Sequence, residues 1–286
     1  MRTLILGVSG MLGHKAYQEF SKSDIETFGI MRQPLSRFKR FSLFNKKKVT
    51  EGIDVTNLEA LENTIKKIKP DVVINAIGVV KQVCDDPTAA ISLNSLFPHQ
   101  LAALCKKHDA RLIQISTDCV FLGTKGDYTE EDAPNAEDLY GRSKLLGEVT
   151  YDNHLTIRTS IIGLELFTHH GLVEWFLSQK GEVKGYTNAV FCGLSTQELS
   201  RVLIHLAKNQ NIIGLLNIGT KKINKCSLLK MVKKEFQRDD LVIRPYPDFK
   251  CDRSLNSSKM RDIGVKVKEF PEMVREMAQE TLYSLR

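Results

Sequence analysis

Residues 3–13 read TLILGVSGMLG, in which a short apolar run leads directly into a GxxGxxG pattern. The three glycines let the backbone turn tightly, and the residues from Met11 onward have the periodicity of a helix. Where such a turn joins a first strand to a first helix, the helix N-terminus binds the pyrophosphate of a dinucleotide. We therefore predict a dinucleotide site at Gly7, Ser9, Gly10, Met11 and Leu12. The alternative is a turn that serves only packing.

Beyond this stretch, short runs rich in Val and Ile alternate with amphipathic helical stretches, which is typical of a parallel sheet with helices on both faces. The predicted strands are 3–8, 25–30, 72–76, 111–116 and 155–158, and the predicted helices are 11–21, 58–69, 89–108 and 140–151. After residue 159 the alternation becomes irregular, with scattered short strands between helices predicted at 172–179, 195–209, 227–237 and 272–284. The predicted fold class is α/β: a doubly wound parallel (Rossmann) sheet with a smaller C-terminal α/β substrate lobe. Residues 1–159 would form the dinucleotide-binding domain and residues 160–286 mainly the lobe, with some later segments returning to the first domain.

The composition indicates a soluble globular protein. The 286 residues are 42% hydrophobic and 26% charged, and no stretch approaches the ~18 unbroken apolar residues that a bilayer crossing needs. The N-terminal apolar run is too short for a signal peptide. The six cysteines contain no CxxC pair, so neither a zinc ribbon nor a thioredoxin-type motif is supported. We expect reduced thiols, a cytoplasmic location, no membrane contact and no metal.

The net charge of +7 comes from one segment, residues 32–48, which we call the basic insert. It holds seven Lys and Arg residues and no acid, and without them the 41 basic residues fall to 34, equal to the 34 acidic ones. Phe38, Phe41 and Phe44 are interleaved with these cations. The insert could bind a phosphate-rich ligand or RNA, or be a solvated surface insertion. Because the rest of the chain is neutral, we predict no nucleic-acid partner.

The end of the second predicted strand indicates the choice of cofactor. An NAD-selective site would have an acid there for the ribose 2′-hydroxyl, but this chain has Arg32. A guanidinium can pair with a 2′-phosphate, so we predict NADPH (NADP) as the cofactor; alternatively Arg32 merely begins the basic insert. Asp54 and Val55 could flank the adenine, although Asp54 could equally serve the start of the next helix. The turn after the strand at 72–76 would add the cofactor-facing residues Asn75, Ala76, Ile77 and Gly78.

Tyr140 and Lys144 are four residues apart and therefore lie on one face of a predicted helix. An ammonium near a phenol favours the phenolate, so we predict that Lys144 lowers the pKa of Tyr140 and allows proton exchange with a substrate near neutral pH. Such a pair is common by chance. The pair becomes informative because it occurs together with the glycine pattern, Asn75 to Gly78, and Ser116-Thr117-Asp118.

Taken together, these residues resemble the extended short-chain dehydrogenase/reductase family and, within it, the dTDP-4-dehydrorhamnose reductase-like group. The resemblance covers nearly the whole chain and is strongest at residues 115–121 (ISTDCVF), 139–148 (LYGRSKLLGE), 157–160 (IRTS), 193–196 (GLST) and 214–219 (GLLNIG). It implies a catalytic triad of Thr117, Tyr140 and Lys144, in which Thr117 holds the substrate oxygen and Tyr140 transfers the proton. Lys144 would hold the nicotinamide ribose. The implied partner is a nucleotide-diphosphate sugar; a homodimer is left open.

Cys119 departs from the group, whose members commonly carry tyrosine at this place. In the similar GDP-fucose synthase family a cysteine here is an acid/base for epimerisation, with a histidine from the substrate lobe. His169 or His170 could supply that partner, and His170 is our candidate. The alternative, which we favour, is a small thiol that lines the pocket.

The remaining substrate-binding candidates are Lys81, Asp118, Cys119, Val120, Arg158, His170, Trp175 and Arg253. Lys81 could reach a sugar or diphosphate or be a solvated surface residue, and Trp175 could stack on a base or pack in a core. The predicted function is NADPH-dependent reduction of the C4 ketone of a nucleotide-activated 4-keto-6-deoxy sugar in surface polysaccharide synthesis. Its rivals are an epimerase, dehydratase or epimerase-reductase, a non-catalytic NADP-binding subunit similar to the methionine adenosyltransferase β subunits, and an RNA-binding protein.

Overall fold

The main sheet contains seven parallel strands in the order β10-β6-β5-β4-β1-β2-β3. The computed structural model describes residues 1–280. Its strands are β1 (Arg2–Leu6), β2 (Glu26–Ile30), β3 (Val49–Thr50), β4 (Val72–Asn75), β5 (Arg111–Ile115), β6 (Leu155–Arg158), β7 (Ile161–Ile162), β8 (Gly181–Phe191), β9 (Leu194–Ser195), β10 (Gly214–Asn217), β11 (Ile223–Asn224) and β12 (Leu241–Asp252). From β1 the chain adds β2 and β3 on one side, and from β4 it adds β5 and β6 on the other side, so the order of strand addition reverses between β1 and β4. Ligands bind outside the carboxyl ends of the strands at such a point.

Helices cover both faces of the main sheet. They are α1 (Met11–Ser21), α2 (Leu58–Ile68), α3 (Pro87–Ala90), α4 (Phe97–Lys107), α5 (Leu139–Leu146), α6 (Leu172–Ser178), α7 (Thr196–Lys208), α8 (Lys225–Glu235), α9 (Ser258–Asp262) and α10 (Phe270–Ala278). Successive side chains of β1 point to opposite faces. Leu4 and Leu6 pack in the core that holds α2 and α4, whereas Ile5 packs in the core that holds α1 and α7. The predicted doubly wound fold is thus confirmed.

The C-terminal half divides its elements between two places. Helix α7 packs against α1, and β10 extends the main sheet beside β6. The three-stranded sheet β11-β8-β12 stands apart and packs against α8. The division at residue 159 stays a prediction, and the structure adds which later segments belong to the main sheet.

Several predicted elements have different limits in the structure. The predicted helix 89–108 is α3 and α4 joined by a π-helical segment, Ile91–Leu96. The predicted helix 140–151 is α5, which ends at Leu146. The last predicted helix, 272–284, corresponds to α10, and its final residues, 281–284, lie outside the described residues. Strands β8 and β12, with 11 and 12 residues, are much longer than the short strands predicted there.

The basic insert is not simply solvated, as one of its interpretations required. Leu35–Phe41 forms a 3₁₀ helix, and Phe38 and Phe41 are 2% and 3% exposed. Both rings contact Phe167 edge to face, with centroids 5.2 and 5.4 Å away. The aromatic side chains therefore anchor the insert in the core, while its cations point outward.

The described part of the chain has neither a membrane-spanning helix nor a cluster of metal ligands. In residues 1–280 no helix is both long and apolar enough to cross a membrane. Within the same range no group of three or more His, Cys, Asp or Glu side chains is arranged to hold a metal ion. The six cysteines are free thiols.

Candidate functional site

A cavity of about 760 Å³ lies at the carboxyl ends of β1, β4 and β5. One wall comes from the main sheet and α5, and the opposite wall comes from the three-stranded sheet and the segment before α6. The sequence-predicted residues that line it are Gly10, Met11, Leu12, Asn75, Ala76, Ile77, Gly78, Lys81, Thr117, Asp118, Cys119, Tyr140, Lys144, His170 and Arg253. Its volume and position fit an extended ligand held between two lobes.

The glycine turn has the shape that a pyrophosphate site requires. Gly7 has a φ of +79°, and its N–H donates to the carbonyl of Ile30 at 3.0 Å. A Cβ at Gly13 would lie 2.0 Å from the Gly7 carbonyl oxygen, so α1 can start this close to the strand only with glycine there. Gly10 is the N-cap of α1, and neither a side-chain cap nor an acid occupies this helix's first turn. With Ser9 partly buried in the same turn, the α1 N–H groups are available to a diphosphate.

The turn after β4 is fixed by buried amides. Asn75 Nδ2 donates to Gln114 Oε1 at 2.8 Å, and its Oδ1 accepts from Ile77 N at 3.1 Å. The sequence interpretation missed Asn94, a fully buried residue of the π-helical segment. Its Oδ1 accepts from Val79 N at 2.8 Å and its Nδ2 donates to Ser143 Oγ at 3.1 Å. Asn94 therefore connects this turn to α5. The one signal of this role in the sequence is an asparagine within an otherwise apolar helical stretch.

The three predicted catalytic residues meet on one wall of the cavity. Thr117 follows β5, and α5, which begins with Asp138 accepting from Gly141 N at 2.7 Å, carries Tyr140 and Lys144. The Thr117 side chain lies beside the Tyr140 hydroxyl, and their interaction partly offsets the effect of burial on the pKa of Tyr140. The Lys144 ammonium donates to the carbonyl of Ile115 at 2.6 Å. The arrangement brings a hydroxyl pair and a buried cation to the same place.

The electrostatics differ from the prediction made for Tyr140. Burial, followed by the neighbouring Cys119, raises the pKa of Tyr140 above its ordinary value, so the predicted lowering by Lys144 is wrong here. Burial lowers the pKa of Lys144 to about 8, against the opposing charge of Glu148. Tyr140 is thus a neutral phenol at neutral pH, which is the form that a proton donor requires.

Cys119 and His170, the candidate epimerisation pair, both line the cavity. Burial, and then the negative charge of Asp118, raises the pKa of the Cys119 thiol to about 12. Asp118 is itself buried, and burial raises the pKa of its carboxyl. Cys119 is therefore a thiol near neutral pH, and its environment disfavours the thiolate that a base would need.

The cations at the cavity differ in the protein groups that they already contact. Lys81 Nζ pairs with Asp138 at 2.7 Å, with both side chains more than two-fifths exposed. Arg253 Nε donates to the carbonyl of Phe121 at 2.7 Å. Lys225, at the start of α8, and Phe249, on β12, also line the cavity and were not singled out from the sequence. The position of Phe249 depends on the pairing of β8 with β12, which no local pattern indicated.

Three predicted substrate residues lie elsewhere. Arg158 donates from Nε and Nη2 to Glu148 at 2.8 Å each, and only 3% and 7% of the two side chains are exposed. Its guanidinium is held by a buried carboxylate, so we do not retain it as a substrate ligand. Val120 is fully buried in a small cluster with Phe121. Trp175 is 38% exposed on α6, which contradicts a core position.

The predicted adenine-side residues lie beyond the end of β2. Arg32 is exposed, directly after Met31. Asp54 accepts hydrogen bonds from the N–H and hydroxyl of Thr56, which, with a smaller contribution from Arg32, lower the pKa of its carboxyl. Val55 is packed in the core beside α2. Asp54 thus holds the turn before α2, as its second interpretation required, and its contact with a cofactor stays a prediction.

Fold and site together define a Rossmann-type α/β protein with a large cavity at the switch point of its sheet. A family model described as RmlD substrate binding domain matches residues 1–281, and the chain belongs to this family. The dTDP-4-dehydrorhamnose reductase-like resemblance is thereby confirmed.

Comparisons with individual proteins agree with this assignment. The chain is 35% identical over 150 residues to methionine adenosyltransferase 2 subunit beta of Mus musculus, covering 51% of this chain and 41% of that protein. It is 36% identical over 115 residues to dTDP-4-dehydrorhamnose reductase of Salmonella typhimurium, covering 37% and 38%. The matched parts thus span about two-fifths of these relatives.

Solved structures match over nearly the whole chain. A hypothetical dTDP-4-dehydrorhamnose reductase from Sulfolobus tokodaii is 26% identical, with a TM-score of 0.76 and coverage of 94% and 96%. The Bacillus anthracis dTDP-4-dehydrorhamnose reductase in complex with NADP is 19% identical, with a TM-score of 0.80 and coverage of 98% and 99%. At that identity the second match demonstrates the fold alone.

Proposed function

We propose that this protein is a cytoplasmic enzyme that uses NADPH to reduce the C4 ketone of a nucleotide-activated 4-keto-6-deoxy sugar, for surface polysaccharide synthesis. The observation that carries the proposal is the grouping of Thr117, Tyr140 and Lys144 on one wall of the cavity that the glycine turn opens into. Family membership agrees with it.

NADPH, when bound, supplies the hydride. The chain's own residues account for the other half of the reaction. Tyr140 donates its phenolic proton to the ketone oxygen as negative charge develops there, and Thr117 donates a hydrogen bond to the same oxygen. Lys144, whose pKa burial lowers to about 8, donates to the carbonyl of Ile115 and would hold the nicotinamide ribose beside Tyr140.

The diphosphate of the substrate would lie on the lobe side of the cavity. Lys225 and Arg253 supply cations there, Lys81 adds one from the segment after β4, and Phe249 supplies an aromatic face that is 46% exposed. Cations pair with phosphate oxygens through charge-assisted hydrogen bonds. These residues therefore replace Arg158 and Trp175 as our proposed substrate contacts.

The direct test is to incubate the protein and NADPH with dTDP-, UDP- and GDP-linked 4-keto sugars and follow the absorbance of the nicotinamide. Consumption of NADPH with one of these sugars, abolished in Tyr140→Phe, is the expected result. A protein that binds NADPH but consumes none with any of the sugars would contradict the reductase.

The second candidate is a subunit role within a larger enzyme. It is favoured by the 35% identity to a methionine adenosyltransferase subunit over half of this chain. A pull-down with a purified methionine adenosyltransferase catalytic subunit distinguishes the two functions. Binding without reductase turnover would favour the subunit role.

Arg32→Ala is expected to weaken NADPH binding by about 1.5–3 kcal/mol, the range for a hydrogen bond to a charged group, and to leave NADH nearly unchanged. The reason is that only NADPH carries the 2′-phosphate. Titration calorimetry with both cofactors measures the difference, with Lys66→Ala on α2 as an exposed control. Equal losses for NADPH and NADH would mean that Arg32 has a structural role.

Cys119→Ser is expected to leave ketone reduction within about tenfold of the parent, because neither side chain transfers the catalytic proton. The parent is also expected not to exchange solvent deuterium into the carbon beside the ketone. Mass spectrometry of the substrate recovered from D₂O measures this. Exchange that disappears in Cys119→Ser or His170→Asn would instead establish an epimerase-reductase.

A further inference from the structure

The basic insert presents a group of cations that no carboxylate neutralises. Arg37, Lys39 and Arg40 are exposed on the 3₁₀ helix. Among the described residues, no Asp or Glu lies within ion-pair distance of any of the three. Since charges elsewhere on the chain balance, these are three of the seven cations that account for the net charge of +7.

The group is held firmly rather than on a loose loop. Phe38 and Phe41 are buried beneath it. The Arg37 and Arg40 guanidinium carbons lie 4.7 and 5.0 Å from the centroid of the Phe167 ring. These stacked cations therefore keep a fixed position relative to the segment that carries Phe167.

That segment forms part of the cavity. Phe167 lies between Glu165 and Thr168, both of which line the cavity. The insert also begins just after β2, at the carboxyl edge of the sheet where the glycine turn lies. Arg37, Lys39 and Arg40 themselves are not among the cavity-lining residues of the described chain. They thus lie beside the cavity wall that Glu165 and Thr168 form, outside the lining itself.

We propose that Arg37, Lys39 and Arg40 form a collecting surface that steers the anionic dinucleotide into the cavity before Arg32 and the glycine turn bind it. This inference rests on the proposed cofactor. Cations beside an entrance raise the local concentration of an anion and its association rate, and salt screens the effect over about 10 Å at 0.1 M. Because the 2′-phosphate adds roughly two negative charges, NADPH is steered more strongly than NADH.

The test is stopped-flow measurement of NADPH and NADH association, followed by nicotinamide fluorescence, at roughly 0.01 M and roughly 0.3 M salt. In Arg37→Gln/Lys39→Gln/Arg40→Gln, the association rate constant for NADPH at low salt should fall by about 3- to 10-fold. The fall should be smaller for NADH and at high salt, and the dissociation rate constant should stay within about twofold of the parent.

Two control variants separate steering from other effects. Lys66→Gln/Lys67→Gln/Lys69→Gln removes the same charge at the C-terminal end of α2. Because α2 leads into the start of β4, these lysines lie at the opposite end of the strands from the cavity. This variant should leave the association rate constant nearly unchanged. Arg37→Lys/Arg40→Lys keeps the charge but loses the planar stacking on Phe167, and it should also associate at nearly the parent rate.

Equal losses in the α2 variant, equal losses for NADH and NADPH, or a change confined to dissociation would each overturn the collecting surface. Salt-independent association of NADPH with the parent would overturn it as well while leaving the proposed function intact. Failure of the parent to bind NADPH would contradict the proposed function, and the inference with it.

Discussion

Tyr140→Phe is expected to lower kcat for ketone reduction by ~10² or more while NADPH binding stays close to that of the parent. The substitution removes the proton donor and keeps the ring. The Tyr140 hydroxyl lies beside Thr117 at the cavity wall, and α5 carries no other phenol that could replace it.

Single-turnover absorbance measurements with the sugar identified in the panel give the rate, and fluorescence titration gives the NADPH affinity. Tyr151→Phe is the matched control, because that hydroxyl is bonded to His99 and its side chain is 46% exposed. A Tyr140→Phe variant with near-parent turnover would remove Tyr140 from the mechanism.

Arg158→Met is expected to destabilise the protein by about 3–5 kcal/mol, because it leaves the buried carboxylate of Glu148 without its cation. Glu148 Oε1 also accepts from Ser116 Oγ at 2.7 Å, directly before catalytic-site residue Thr117. The free energy of unfolding from urea denaturation measures the change. Replacing both partners, Glu148→Met/Arg158→Met, should recover a large part of the loss.

The pair of Arg244 and Glu182 provides a matched control for Arg158→Met. Their side chains are 67% and 52% exposed, so Arg244→Met should leave the free energy of unfolding nearly unchanged. A stable Arg158→Met variant with a raised KM for the nucleotide sugar would restore the interpretation of Arg158 as a substrate ligand.

The sequence predicted five of the seven main-sheet strands, β1, β2, β4, β5 and β6, because these strands are largely buried on both faces. Such strands read as continuous apolar runs, as in Leu4 to Leu6 and Val72 to Ile74, and their identity requires no knowledge of their neighbours. Strand β12, by contrast, reads LVIRPYPDFKCD and contains two prolines and mostly exposed positions. Its length comes from pairing with β8, about sixty residues earlier. Local periodicity does not reveal a pairing between segments that far apart.

The site residues likewise fall into those that local spacing predicted and those whose role depends on a distant partner. The spacing of Tyr140 and Lys144 places them on one helical face, and the structure brings Thr117 to them. Arg158 does not line the cavity, because its guanidinium is held by Glu148, a partner just after α5 that spacing does not reveal. The pKa prediction for Tyr140 was wrong because it ignored burial, and because the Lys144 ammonium donates to Ile115.

Because the chain returns to the main sheet after residue 159, the protein cannot be divided at that residue into two independent fragments. Helix α7 covers an apolar face of α1, and β10 pairs with β6 at the end of the main sheet. A fragment ending at residue 159 would expose that face together with the unpaired backbone groups of β6, both of which promote self-association. The half that carries the glycine turn therefore depends on residues 196–217 for its solubility, and trimming by proteolysis cannot yield it as an independent unit.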